Sequence, residues 1–115
     1  MTIENKAAEI SPKELKAKLE AGDRIILLDV REPQELLIAS IAAPQSLHIR
    51  MQELADRISE LSDYKDKDLV VYCRSGGRSA RCTAFLLTQG FNKVLNLTGG
   101  ILSWADTVDP SLTKY

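Results

Sequence analysis

Three short apolar runs, separated by stretches of helical spacing, restrict what this chain can fold into. IILLDV (residues 25–30), DLVVY (68–72) and KVLNL (93–97) are rich in aliphatic and β-branched residues and barely alternate with polar ones. Runs of this kind read as strands buried on both faces, which requires helices on both sides of a mostly parallel sheet. The sequence between them supplies those helices. Ser11-Pro12-Lys13-Glu14 opens one, with Ser11 as cap, Pro12 in the first turn and Glu14 completing a capping box; Leu15 and Leu19 share its face and Gly22 stops it. Glu32-Pro33 starts a short helical segment through Leu37, and a loop then leads to a short strand around 47–49. Met51, Leu54, Ile58 and Leu61 recur at helical spacing, which predicts an amphipathic helix over 51–62. Residues 79–89 read as a helix ended by Gly90, and Gly99-Gly100 turns the chain into a last short helix carrying Trp104. Strands alternating with helices give an α/β domain.

At 115 residues the chain is the length of one domain, expected to have its core over about 10–105 and a surface tail over 106–115. The net charge of −1 gives no global attraction to nucleic acid or to an anionic membrane. MTIENKAAEI has no apolar leader segment, and no apolar run approaches the ~18 residues that span a bilayer, so the expected location is the cytoplasm. Cys73 and Cys82 do not make a disulfide framework. His48 is the only histidine, and no Cys/His group has metal-ligand spacing, so neither a metal nor an organic cofactor is expected.

Against that neutral background one stretch stands out. VVYCRSGGRSARC (70–82) puts Cys73 directly after a strand, with two glycines and Arg74, Arg78 and Arg81 close behind. In a parallel sheet, ligands bind beyond the carboxyl ends of the strands, where loops enter the next helix. A loop through Ser75, Gly76 and Gly77 can turn successive backbone N–H groups inward, because glycine reaches positive φ without a steric penalty. The helix start adds partial positive charge, and Arg74 and Arg78 add full charges. All of these favour thiolate over thiol at Cys73 and would also hold a small oxyanion or a charged sulfur bound to it. Arginine is electrostatically disfavoured at a helix start, so the cluster calls for a compensating anion. Ser79 can cap the helix and donate to that anion. His48 is not in a motif with Cys73 and is expected on a strand near the surface. Cys82 falls with Phe85 and Leu86 on a core-facing stripe, as a packing residue, and Trp104 is expected in the core.

Four pieces in order, LLDVREPQE (27–35), VVYCRSGGRSA (70–80), LLTQGF (86–91) and VLNLTGGILSW (94–104), resemble a single-domain rhodanese, a sulfurtransferase module, over most of the chain. The resemblance implies a central five-stranded parallel sheet flanked by helices. It implies that Cys73 takes a sulfane sulfur from thiosulfate or another persulfide and passes it to cyanide or a thiol. It further implies that the backbone of Arg74, Ser75, Gly76, Gly77 and Arg78 cradles that sulfur, and that Arg74 and Arg78 help bind the anionic donor. Asp29 and Arg31 are expected as structural support, Asp29 ending its strand and Arg31 ion-pairing to hold loops near the site. Small sulfur-containing anions, and a sulfur-donor or sulfur-carrier protein, are the implied partners. Two alternatives remain: a persulfide carrier or docking module with little thiosulfate turnover, and a cysteine-based phosphatase or arsenate reductase. The loop argues against the latter, because Cys73 to Arg78 is C-x4-R and those enzymes use C-x5-R, one residue more to surround a tetrahedral oxyanion. The chain departs from the family where G-H-I-P-G-A is common: it has Ala39-Ser40-Ile41-Ala42-Ala43-Pro44-Gln45-Ser46, and Arg50 where Pro is common. That segment borders the active-site mouth in the family, so the departure bears on donor and acceptor choice. The ending WADTVDPSLTKY also resembles tails of rhodanese modules fused to sulfur-carrier-activating enzymes.

Overall fold

The computed structural model describes residues 8–115. Its five strands are β1 (Glu9–Ile10), β2 (Ile25–Asp29), β3 (Ser46–His48), β4 (Asp68–Tyr72) and β5 (Val94–Leu97). They form one sheet in the order β1-β5-β4-β2-β3, with every neighbouring pair parallel. The α-helices are α1 (Pro12–Glu20), α2 (Pro33–Leu36), α3 (Gly77–Thr88) and α4 (Gly100–Thr107).

Why the central runs are apolar throughout is visible in the packing. Ile25 and Leu27 of β2, with Val70 and Tyr72 of β4, face α1 and α4 and pack with Leu15, Ile101 and Trp104. Ile26 and Leu28, with Leu69 and Val71, face the other way and pack with Cys82 and Leu86 of α3, Leu54 and Leu61. Each strand therefore buries both of its faces, and a strand with two buried faces does not alternate. The start of α1 follows its local chemistry: Ser11 Oγ accepts from the Glu14 amide at 3.1 Å, and the Glu14 carboxylate accepts from the Ser11 amide at 3.0 Å.

Several expectations change. The stretch 51–62 is not one α-helix but two 3₁₀ segments, Met51–Glu53 and Ile58–Tyr64. Residues three or four apart share a face in either kind of turn, so the spacing reports which side is buried and not the pitch. Leu54 and Leu61 do face the core, while Arg50, Glu53, Arg57 and Glu60 form a chain of ion pairs on the outside. Strand β1 has two residues, too few to show any periodicity, and is held by pairing with β5 (Glu9 opposite Asn96, Ile10 opposite Leu97). α3 begins at Gly77, two residues earlier than its side-chain pattern suggests. Residues 106–115 are exposed or half-buried; Val108, Leu112 and Tyr115 pack against the core, and Tyr115 returns to the carboxyl end of the sheet. No helix of the described residues is long and apolar enough to cross a membrane.

Candidate active site

The chain leaves β2 toward β3 on one side and leaves β4 toward β5 on the other, so a crevice opens where β2 and β4 end side by side. Cys73 follows the last residue of β4 and Val30 follows the last residue of β2, with the Val30 amide donating to the Tyr72 carbonyl at 3.1 Å. The cysteine loop and the β2–α2 loop therefore flank one mouth.

Cys73 is only 1% exposed. Its Sγ accepts from the Gly76 amide at 3.1 Å, the Ser79 hydroxyl at 3.3 Å and the Ser79 amide at 3.4 Å. Gly76 allows this turn with φ +106°, a conformation an L side chain rarely adopts. Burial by itself pushes the Cys73 thiol up. The Ser79 hydroxyl, then the amides of Ser79, Gly76 and Ser75, outweigh it, and the net shift is below the ordinary thiol value. The thiolate is thus favoured chiefly by oriented N–H and O–H dipoles.

The rear of the loop is held by α4. The amides of Ile101 and Leu102 donate to the carbonyls of Cys73 (2.9 Å) and Arg74 (3.0 Å). In a planar trans peptide the C=O and N–H point in opposite directions, so drawing the two carbonyls toward α4 turns the Arg74 and Ser75 amides the other way. From β5, the Asn96 side-chain amide reaches the Gly76 carbonyl at 3.4 Å and the Glu9 carboxylate at 3.0 Å.

The three arginines separate. Arg78 is not free for an anion: both of its terminal nitrogens grip the Glu35 carboxylate, at 2.8 and 2.9 Å, across the mouth. Arg78 in turn holds the Glu35 carboxyl down at about 2, so the pair stays ionised at neutral pH. Arg74 is exposed, with its guanidinium 5.2 Å from the centroid of the Tyr115 ring. Arg81 lies away from the cradle, on the wall of a surface hollow formed with Met51, Leu54, Ala55, Cys82 and Phe85. Ser75 and Gly77 lie exposed on the loop, and Ser79 is fully buried beneath the sulfur.

Asp29 and Arg31 sit under the β2–α2 loop. The Arg31 side chain is wholly buried and binds the Asp29 carboxylate through Nε and Nη2, each at 2.8–2.9 Å in its shortest contact. Nη2 also donates to the Ala39 carbonyl at 2.8 Å and Nη1 to the Tyr115 hydroxyl at 2.8 Å. The divergent segment is thereby tied to the site's frame. His48, half-buried at the end of β3, hydrogen-bonds the Arg31 carbonyl at 2.7 Å. Cys82 is buried in the core, and burial pushes its thiol up to about 11. Among the described residues, no three His, Cys, Asp or Glu side chains are grouped to hold a metal ion.

Glu35 and Tyr115 belong to the site's frame, and residue spacing alone did not single them out. Each acts through a partner far along the chain, Arg78 for one and Arg31 and Arg74 for the other. The Ser79 contacts carry a direct expectation. Ser79→Ala removes one donor from the sulfur, so the acid limb of a Cys73 alkylation profile moves to higher pH. On the acid limb the rate falls about tenfold, as for the loss of roughly 1.5 kcal/mol in a hydrogen bond to a charged group. Alkylation rates measured from acid to alkaline pH check it, and an unmoved limb would contradict the role of Ser79.

Comparison with known proteins bears on the family and the fold. The chain is 42% identical over 97 residues to a protein of Allochromatium vinosum named a sulfurtransferase, covering 84% of this chain and 87% of that one. It is 41% identical over 102 residues to a putative sulfurtransferase of Bacillus subtilis, YtwF, covering 89% and 94%. A solved rhodanese-like domain protein from Staphylococcus aureus superposes with a TM-score of 0.76 at 27% identity, covering 93% and 97% of the two chains. The rhodanese-like domain family matches residues 11–107, and with the five-stranded parallel sheet and the cysteine loop at its carboxyl end, this chain belongs to that family.

Proposed function

We propose that the protein is a cytoplasmic sulfurtransferase that moves a sulfane sulfur from thiosulfate, or from another persulfide, to cyanide or a thiol through a persulfide on Cys73. The observation that carries this is the set of donors converging on the Cys73 sulfur from Gly76 and Ser79, in a crevice at the carboxyl end of the sheet. In the first step the Cys73 thiolate attacks the outer sulfur of thiosulfate. The bond between the two thiosulfate sulfurs breaks, and sulfite leaves with the electron pair. The product is a Cys73 persulfide anion, whose terminal sulfur continues into the cradle of amides from residues 75–79. In the second step cyanide or a thiolate attacks that terminal sulfur, and the Cys73 thiolate leaves. A nucleophile that reacts as its thiolate, the form the loop favours, needs no proton acceptor in the transfer step.

The Arg78–Glu35 pair also weighs against phosphatase or arsenate chemistry. A tetrahedral oxyanion needs the arginine fork of its loop, and here both terminal nitrogens of Arg78 are engaged by a carboxylate. Steady-state formation of thiocyanate from thiosulfate and cyanide tests the proposal. Double-reciprocal plots at several cyanide concentrations should be parallel, as in a double displacement. Absence of turnover with thiosulfate, beside sulfur loading from a protein persulfide, would favour the carrier alternative.

A further inference from the structure

Tyr115 lies beyond the segment matched by the family, residues 11–107, yet it touches both loops that flank the thiol. Its hydroxyl accepts from Arg31 Nη1 at 2.8 Å and donates to Glu35 Oε1 at 3.1 Å, on the β2–α2 side. Its ring lies under the Arg74 guanidinium, 5.2 Å from centroid to carbon, on the cysteine-loop side. Burial pushes the phenol up, so the hydroxyl stays protonated and able to donate. Arg78 is neutralised by Glu35. Among the described residues Arg74 has no carboxylate within ion-pair distance, and it follows Cys73 directly. An arginine at an exposed loop position samples many rotamers, and an aromatic face beneath it narrows that set.

We propose that Tyr115 is a positioning residue that holds Arg74 at the mouth of the site, and that the held guanidinium gives Cys73 its preference for anionic reagents over neutral ones of the same size. The proposal rests on the sulfur-transfer reading for its biological meaning: thiosulfate is a dianion, and an acceptor bearing negative charge would be favoured by the same cation. Its test does not depend on that reading, because it needs only the thiol.

Iodoacetate and iodoacetamide differ in charge and hardly in size, and each is attacked by the Cys73 thiolate with loss of iodide. The quantity measured is the ratio of their second-order rate constants at Cys73, located by peptide mass. A change in thiolate fraction cancels in this ratio, which a merely structural role of Tyr115 would not move. Tyr115→Ala, Tyr115→Leu and Arg74→Ala should each lower it by about three- to fivefold, the worth of an exposed cation–aromatic contact or of one screened charge. Tyr115→Phe keeps the ring beneath Arg74 and should retain a ratio between these and the parent. Tyr115→Leu keeps bulk without an aromatic face, and thermal melts show that each variant is folded. Folded Tyr115→Ala and Tyr115→Leu proteins with the parent ratio would overturn the proposal, as would an unchanged ratio in Arg74→Ala. Persulfide formation on the parent protein is scored separately, so failure of the sulfur-transfer reading and failure of the role of Tyr115 are told apart.

Discussion

Cys73→Ser should abolish thiocyanate formation, with a loss of at least about a thousandfold, because the covalent route has no other nucleophile. Serine preserves the shape of the loop and can still accept hydrogen bonds from Gly76 and Ser79, so the loss would reflect the missing sulfur and not a collapsed site. Cys82 is the control. It is 3% exposed, packs among apolar side chains, and has its thiol pushed up by burial, so it is protonated at neutral pH. Cys82→Ser should therefore retain turnover within about twofold, with its cost appearing as stability, on the order of 1–3 kcal/mol for an unpaired buried hydroxyl. The comparison is read from thiocyanate assays and denaturant melts of the two variants. Substantial activity in Cys73→Ser, or its loss in folded Cys82→Ser, would reassign the nucleophile.

The second large effect is expected at a residue that never touches substrate. A Cβ on Gly100 would lie 2.6 Å from the Cys73 carbonyl oxygen and closer still to that of Arg74, and Gly100 itself has φ +63°. These are backbone atoms, so no side chain can swing away. Gly100→Ala therefore combines an unfavourable left-handed conformation with overpacking, and should destabilise the fold by about 3 kcal/mol. It should also push the loop away from α4 and lengthen the bonds from Ile101 and Leu102 to the loop carbonyls. Those bonds orient the amides facing the sulfur, so turnover at a temperature where the variant remains folded should fall by at least about tenfold, as for the loss of one oriented donor. Denaturant melts and the thiocyanate assay measure the two effects. A variant as stable and as active as the parent would show that α4 does not hold the cradle.

How much of this was legible beforehand depends on the distance over which each feature is decided. The capping box of Ser11 and Glu14 is local, and it forms as its spacing indicates. The buried strands β2, β4 and β5 were legible because an apolar run with helices around it has few ways to satisfy both its faces. The cysteine loop was legible because Gly76 and Ser79 lie within six residues of Cys73, whereas the bonds from Ile101 and Leu102 that hold its rear come from α4 and leave no local signal. Charge was harder to assign. Arg74 and Arg78 beside a thiol suggest two anion contacts, but Glu35, 43 residues from Arg78, takes one of them. The pairing geometry that commits Arg78 is created only when β2 and β4 come side by side. Strand β1 depends on β5, and Tyr115 depends on a fold already complete; neither leaves a periodic trace. The 51–62 segment is a different case: its buried face was right, and its pitch was decided by packing.

The most direct test of a persulfide on Cys73 is the intact mass of the purified protein after incubation with thiosulfate, measured beside Cys73→Ser and Cys82→Ser. The expected result is a gain of one sulfur atom in the parent and in Cys82→Ser, absent from Cys73→Ser and removed by cyanide. An unchanged parent mass under turnover conditions, or an adduct that persists in Cys73→Ser, would contradict sulfur transfer through Cys73.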